Sequence, residues 1–180
     1  MKLVGLDFET ANPSSGSICA AGITFMENGS VREKREWLIR PHHTVDWMLS
    51  AFTKIHGIGY FDLRDALEFP EIWTVMKSLI LQGDCVVIHN APFDLRHLHT
   101  VLTLYRLPSF SFDYVCSLAV CRYLFPGMSS HSLDAMAAHF NIEFQHHDAL
   151  EDAITCAAII VQTGIPQNFI KQFGYHCKSE

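Results

Sequence analysis

The chain opens Met1-Lys-Leu-Val-Gly-Leu-Asp-Phe-Glu-Thr10, an apolar, β-prone run whose only charges after Lys2 are Asp7 and Glu9. Two more such runs follow at 18–26 and 31–39, and Glu27-Asn28-Gly29-Ser30 between them carries the Asn-Gly pair of a tight hairpin. Past Arg40-Pro41 the sequence is irregular until Phe69-Pro70-Glu71, where Ile72, Trp73, Met76, Leu79 and Ile80 recur at helical spacing. That spacing predicts an amphipathic helix with Pro70 in its first turn. Cys85-Val86-Val87-Ile88, short and continuously apolar between Gly83 and Asn90, predicts a buried central strand. Pro92 starts a helix running to about Tyr105, residues 110–114 give a further short strand, and the chain from Val115 onward reads as helices. These break at Phe125-Pro126-Gly127 and Gly164-Ile165-Pro166. Three strands joined by short turns, then alternating helices and strands, specify an α/β fold: a mixed central sheet of about five strands flanked by helices, in one domain spanning 1–180.

With 180 residues, 49% hydrophobic and 18% charged, the chain can bury a sizeable core, which excludes a disordered polypeptide. Thirteen Lys+Arg against nineteen Asp+Glu give a net charge of −6 and exclude a broad basic surface for long nucleic acid. A phosphate-bearing substrate must therefore be held locally. Six cysteines (Cys19, Cys85, Cys116, Cys121, Cys156, Cys177) form no C-x-x-C pair, and Asp7 interrupts the apolar run that a signal peptide needs. A reducing cytoplasm is the expected compartment. The longest apolar stretches, such as 157–161, fall far short of the roughly 18–20 residues of a bilayer span, so no membrane partner is expected.

Three acidic elements carry the chemistry. Asp7 and Glu9 are two apart on a strand, so their carboxylates share a face while Phe8 points the other way. A strand end with solvated acids would look the same. In His89-Asn90-Ala91-Pro92-Phe93-Asp94, Pro92 near the helix start puts Asp94 in the first turn, where the helix dipole favours an ionised carboxylate, and capping alone would also account for it. In His146-His147-Asp148-Ala149-Leu150-Glu151-Asp152-Ala153, Asp148 and Glu151 have capping-box spacing and put the helix start at Asp148. His147 and Asp152 then occupy the two positions that a hydrophobic staple brings together, where a capped helix with a local ion pair is the simpler alternative. Four carboxylates and a histidine at one sheet edge have the makeup of a two-metal phosphodiesterase, since Mg²⁺ and Mn²⁺ prefer oxygen ligands.

Leu6-Asp7-Phe8-Glu9-Thr10, His89 to Asp94, and His147 followed five residues later by Asp152-Ala153 together resemble the DEDDh 3′→5′ exonucleases of the DnaQ-like superfamily, the group that includes the proofreading epsilon subunit of bacterial DNA polymerase III. The resemblance extends through Ile55-His56-Gly57-Ile58 and Ser132-Leu133-Asp134-Ala135 and covers nearly the whole chain. It implies a ribonuclease H-like fold and two divalent cations, Mg²⁺ or Mn²⁺. Asp7 would bridge the ions, Glu9 and Asp152 would complete one site, and Asp94 would lie on the side of the other. His147 would be the general base, a role suited to an imidazole that titrates near ~6.5. The implied reaction is attack of a metal-bound water on the terminal phosphodiester of single-stranded DNA, releasing a nucleoside 5′-monophosphate. Thr10 and the Phe8–Glu9 region would face the terminal sugar, while Ile55, His56, Asn90 and Phe93 would border the pocket for the last nucleotide. His56 also reads as a hydrogen-bonded turn histidine, and Phe93 as a packing group.

Other signals are weaker. His42-His43 and His97/His99 lack partners at zinc-like spacing and read as a loop and an ordinary helix face. Cys116 and Cys121 read as core or boundary residues of one helix. Residues 167–173 loosely resemble a sliding-clamp-binding peptide, but Gly174 stands where a second aromatic belongs, so a closing helix or turn is expected there. The chain ends 28 residues after Asp152, short of the tail that ties epsilon-type subunits to a polymerase, which favours a stand-alone nuclease. Polymerase or sliding-clamp contact and a homodimer stay open as partners. An exoribonuclease, an oligonucleotide-trimming enzyme and a non-catalytic nucleic-acid-binding protein are the alternative functions.

Overall fold

Period-two alternation in β1 (Lys2–Thr10) sets the architecture. In the computed structural model, which describes residues 1–166 and 168–177, Val4, Leu6 and Phe8 enter one core while Leu3 enters a second on the opposite face. Gly5, Asp7 and Glu9 alternate onto that second face. β2 (Ile18–Glu27), β3 (Ser30–Arg40), β4 (Leu67–Glu68), β5 (Cys85–Ile88), β6 (Phe110–Cys116) and β7 (Lys171–Tyr175) complete a sheet in the order β4-β3-β2-β1-β5-β6-β7. The β1–β2 and β2–β3 pairs are antiparallel, with Asn28 and Gly29 both at positive φ (52° and 79°), as a primed hairpin turn requires. β1–β5 and β5–β6 are parallel, β6–β7 is antiparallel, and β4 pairs in parallel with only Ile39 and Arg40 of β3.

Helices α3 (Phe69–Ile80) and α4 (Ala91–Leu104) pack on the Val4–Leu6–Phe8 face through Ile72, Trp73, Met76, Leu95, Leu98 and Leu102. α5 (Ser117–Leu124), α6 (Leu133–Phe140) and α7 (Ala149–Thr163) cover the other face through Val120, Leu133, Met136, Cys156 and Ile160. Pro70 lies in the first turn of α3, and Glu68 and Glu71 close a capping box around it.

Glycines let α7 lie directly on the sheet. A Cβ on Gly5 would stand 2.0 Å from the Ala153 carbonyl oxygen, and one on Gly22 would stand 2.0 Å from the Ala149 carbonyl oxygen. Both contacts are with backbone, which cannot swing aside, so any side chain here would lift the helix.

The structure corrects several expectations. The sheet has seven strands, not about five. The added β7 replaces the expected closing helix or turn, because Phe173 and Tyr175 alternate inward between exposed Gln172 and Gly174. Phe173 packs on Phe112 with ring centroids 4.9 Å apart and planes tilted by 34°, so this anchor of the clamp-like segment is committed to the core, while Gln167 lies outside the described residues. The irregular stretch after Pro41 contains α1 (Ser50–His56) and α2 (Tyr60–Leu63), and α1 has no buried residue to produce an apolar stripe. Cys116 ends β6 and caps α5, so it does not share a helix with Cys121. His97 is buried at 1% exposure with its Nδ1 accepting the Gly16 N–H at 3.2 Å, unlike an ordinary helix face.

Replacing Gly22 by Val is expected to lower stability by about 1–3 kcal/mol in denaturant unfolding, the usual range for overpacking. Unchanged unfolding would mean that α7 accommodates the side chain.

Candidate active site

The site forms where β1, α4 and α7 meet. Beyond Gly5, the last β1 residue paired with β5, the Phe8 N–H is bonded instead by Asp94 Oδ1 at 3.1 Å. Satisfying that donor holds Asp94, buried in the first turn of α4, against the end of β1. The register of β1 against β2 shifts between Glu9 and Thr10, a bulge that ends the regular alternation at the acids. On α7, Asp148 Oδ1 accepts from Leu150 N–H and Glu151 N–H at 3.1 and 3.0 Å, which fixes the helix start at the position read from sequence. The next turn carries Asp152 to the sheet, where Asp7, Glu9 and Asp152 offer carboxylate oxygens within 4.8 Å of one another. Asp94 is buried near enough to repel Asp7 and Glu9 and has one oxygen committed to backbone.

These acids repel and are poorly solvated. Burial lifts Asp7 well above the usual carboxylate range, and Asp94, Asp152 and Glu9 add to the shift. Glu9 is pushed up to about 8 by burial, then by Asp152 and Asp94. Asp94 reaches about 8 through burial, against the downward pull of the Phe8 N–H, and Asp152 reaches about 7, again mainly through burial. Asp152 Oδ1 is buried with no hydrogen-bond partner among the described residues. An oxygen-only set with an orphaned carboxylate oxygen fits a hard divalent cation.

Both histidines of the third motif approach Asp152. His147 is exposed, holds a left-handed backbone (φ 65°) and stacks on His146 with ring centroids 3.8 Å apart and planes 16° from parallel. His146 Nδ1 pairs with Asp134 Oδ1, and its Nε2 lies 3.7 Å from Asp152 Oδ2. Burial and His147 hold His146 below its ordinary value, opposed by Asp134.

A cleft of about 650 Å³ opens over the acids, lined by Asp7, Asp152, His89, Asn90, His146, Arg122 and residues 129–133 among others. Asn90 holds a left-handed backbone at the start of α4. Other residues expected to meet substrate are placed differently. Phe8 is buried at 3% and packs edge-on against Phe69 at 6.5 Å, so its ring belongs to the core and cannot face a nucleotide. The Thr10 side chain is buried as well. His56 Nδ1 accepts the Ile58 N–H at 3.1 Å, which makes Nε2 the donor to the Thr10 carbonyl at 3.2 Å, so the turn-histidine alternative describes its bonding. Ile55 is exposed, and Phe93 is half-buried against His97 at 4.6 Å. The sequence reading assigned no role to His146, Arg122 or residues 129–131. The His-His pair was the available signal for the first, while the others join the cleft only through the packing of α5 and α6.

A family model described as an exonuclease, RNase_T, matches residues 4–160. The chain belongs to this exonuclease family. It is 34% identical to the DNA polymerase III subunit epsilon of Rickettsia prowazekii (strain Madrid E) over 178 residues, which cover 92% of this chain and 76% of that protein. It is also 34% identical to the subunit epsilon of Rickettsia typhi (strain ATCC VR-144 / Wilmington) over 126 residues, 66% of this chain and 54% of that relative, so it spans about half of the latter's length. Among solved structures it is similar to exonuclease X in complex with 5′ overhanging duplex DNA, with a TM-score of 0.69 and 24% identity over 89% of this chain and 90% of that one. That likeness carries the ribonuclease H-like fold. No helix among the described residues is long and apolar enough to cross a membrane.

In EDTA the melting temperature of this exonuclease is expected to fall as pH rises from about 5 through about 8. The unfolded carboxylates release protons near ~4, whereas the folded site holds them until about 7 to 8, so withdrawing protons across that window destabilises the fold. Mg²⁺ or Mn²⁺ should restore stability, with a larger gain at pH 8.5 than at pH 5.5. Melting that is flat with pH and indifferent to cation would show that the acids do not form a shared site.

Proposed function

We propose that residues 1–180 act as a single exonuclease domain that removes nucleotides from the 3′ end of single-stranded DNA as nucleoside 5′-monophosphates. The observation that carries this reading is the convergence of Asp7, Glu9 and Asp152, with a buried oxygen of Asp152 left unpartnered among the described residues. Asp7, Glu9 and Asp152 would hold two divalent cations, Mg²⁺ or Mn²⁺, with Asp94 completing the set. When bound, such ions supply charge stabilisation at the scissile phosphate and acidify water.

The residues divide the remaining work. The Phe8 N–H orients Asp94 by occupying one of its oxygens. His147, exposed beside Asp152, accepts the proton of the attacking water. The water oxygen bonds to phosphorus, the bond from phosphorus to the 3′-oxygen of the preceding nucleotide breaks, and that oxygen takes a proton from solvent. Arg122 and the hydroxyls of Ser129, Ser130 and Ser132 offer a cation and donors to strand phosphates along the cleft. Asn90 borders the terminal nucleotide from the start of α4.

Few phosphate contacts favour distributive cutting. The Rickettsia relatives make a polymerase the partner to test. With Phe173 buried, such a contact would run over the folded surface and not through 167–173. The six free cysteines support a reducing, cytoplasmic setting.

The test is incubation with 5′-labelled DNA and RNA oligomers in Mg²⁺ or Mn²⁺. A ladder shortening from the 3′ end, abolished by EDTA and by Asp7→Ala, is expected on DNA. A preference for RNA would redirect the substrate, and binding without any ladder would end the catalytic reading. His147→Ala should slow cleavage by roughly 10²- to 10⁴-fold, as loss of a general base does. At low salt, intermediates of every length should accumulate. Full-length substrate beside mononucleotide alone would contradict distributive action.

A further inference from the structure

We propose that His146, His147 and Asp152 form a second metal site, suited to a transition cation such as Zn²⁺, that switches the exonuclease off by capturing Asp152 and His147. The binding rests on donor geometry alone, and the effect on cleavage rests on the function proposed above.

The three residues offer two imidazole nitrogens and a carboxylate oxygen within 4.8 Å of one another. Asp134 decides which nitrogen of His146 is available. Its carboxylate accepts, so the facing Nδ1 carries the proton and Nε2 presents a lone pair. That lone pair faces Asp152 Oδ2 at 3.7 Å, which places one acceptor opposite another. A cation between them satisfies both.

Three further features support a built site. The Asp134–His146 pairing is the carboxylate–imidazole arrangement that fixes ring orientation and raises ligand basicity around bound metals. The two imidazoles are neighbours, and because their planes lie only 16° from parallel, exposed His147 must turn out of the stack to aim its in-plane lone pair at an ion held by His146 and Asp152; that exposure also leaves a route from solvent. Asp152 is 5% exposed, and its Oδ1 has no partner among the described residues. A nitrogen-rich set of this kind suits Zn²⁺ or Co²⁺, whereas Mg²⁺ keeps to oxygen. Two donor sets therefore overlap at Asp152: oxygen-only with Asp7 and Glu9, and nitrogen-rich with the histidine pair. A cation in the second occupies the lone pair of His147 and draws Asp152 away from the first.

Zn²⁺ calorimetry and Co²⁺ visible spectroscopy on the full chain carrying Asp7→Asn, which disables the oxygen-only set, test the binding. One ion per chain is expected, with a visible Co²⁺ band that reports imidazole ligation. Adding Asp134→Asn should weaken binding by about 10- to 100-fold, as loss of an outer-shell partner does, and adding His146→Gln should weaken it further. Circular dichroism checks that each variant is folded. Equal Zn²⁺ affinity with and without His146→Gln would overturn the site. In Mg²⁺-supported cleavage by the otherwise wild-type chain, Zn²⁺ should inhibit, and Asp134→Asn should raise the inhibiting concentration by about 10- to 100-fold. Zn²⁺ uptake that depends on His146 but leaves cleavage untouched would overturn the switch. Failure to cleave in Mg²⁺ or Mn²⁺ alone would overturn the nuclease reading, and the titrations would still decide the metal site.

Discussion

Helix α7 reaches the acids of β1 because nothing stands between its backbone and the sheet at Gly5 and Gly22, where a single added carbon would collide with the carbonyl oxygens of Ala153 and Ala149. Asp152 follows the Asp148 cap by four residues, so the depth of the helix start fixes the depth of the carboxylate. Cys156, Ala157 and Ile160 continue the contact into the core. Two glycines and a cap thus set the separation between acids that are 145 or so positions apart in the chain, and the cleft inherits its geometry from that packing.

The same closeness makes the site electrostatically unfavourable when it is bare. Asp7, Glu9, Asp94 and Asp152 are all lifted above their ordinary range, with desolvation the largest cause in each. A fold maintaining four such groups at one point is set up to receive positive charge. The protein compensates only in part, by backbone donation to Asp94, chiefly from Phe8, and to Asp152 from His147. The net acidity of the chain fits this picture, since attraction for phosphate depends on what the acids bind more than on a basic surface.

Features governed by local rules were legible in the sequence. Period-two alternation placed Asp7 and Glu9 on one face, Pro92 put Asp94 in a first turn, and Asp148 marked the helix start to the residue. Features that depend on distant packing were not. The reach of His146 into the cleft depends on Asp134 at the start of α6, and nothing in the His-His pair indicates which ring turns inward. β7 was missed because its two inward residues, Phe173 and Tyr175, acquire meaning only against the neighbouring β6. Phe8 sits inside the most informative motif, yet its side chain serves the core while its backbone serves the site.

Sheet edges bear on how copies of this chain behave when concentrated. β4 covers only Ile39 and Arg40 of β3, which leaves the outer rim of that long strand along residues 30–38 without a neighbouring strand among the described residues. Unpaired rims of this kind recruit strands from other molecules. Here the rim carries Arg32-Glu33-Lys34-Arg35-Glu36, an unbroken run of charges of mixed sign with Arg35 and Glu33 bridged at 2.8 Å. Desolvating those side chains to zip two molecules together would be costly, so this open border is poorly suited to seeding fibrils.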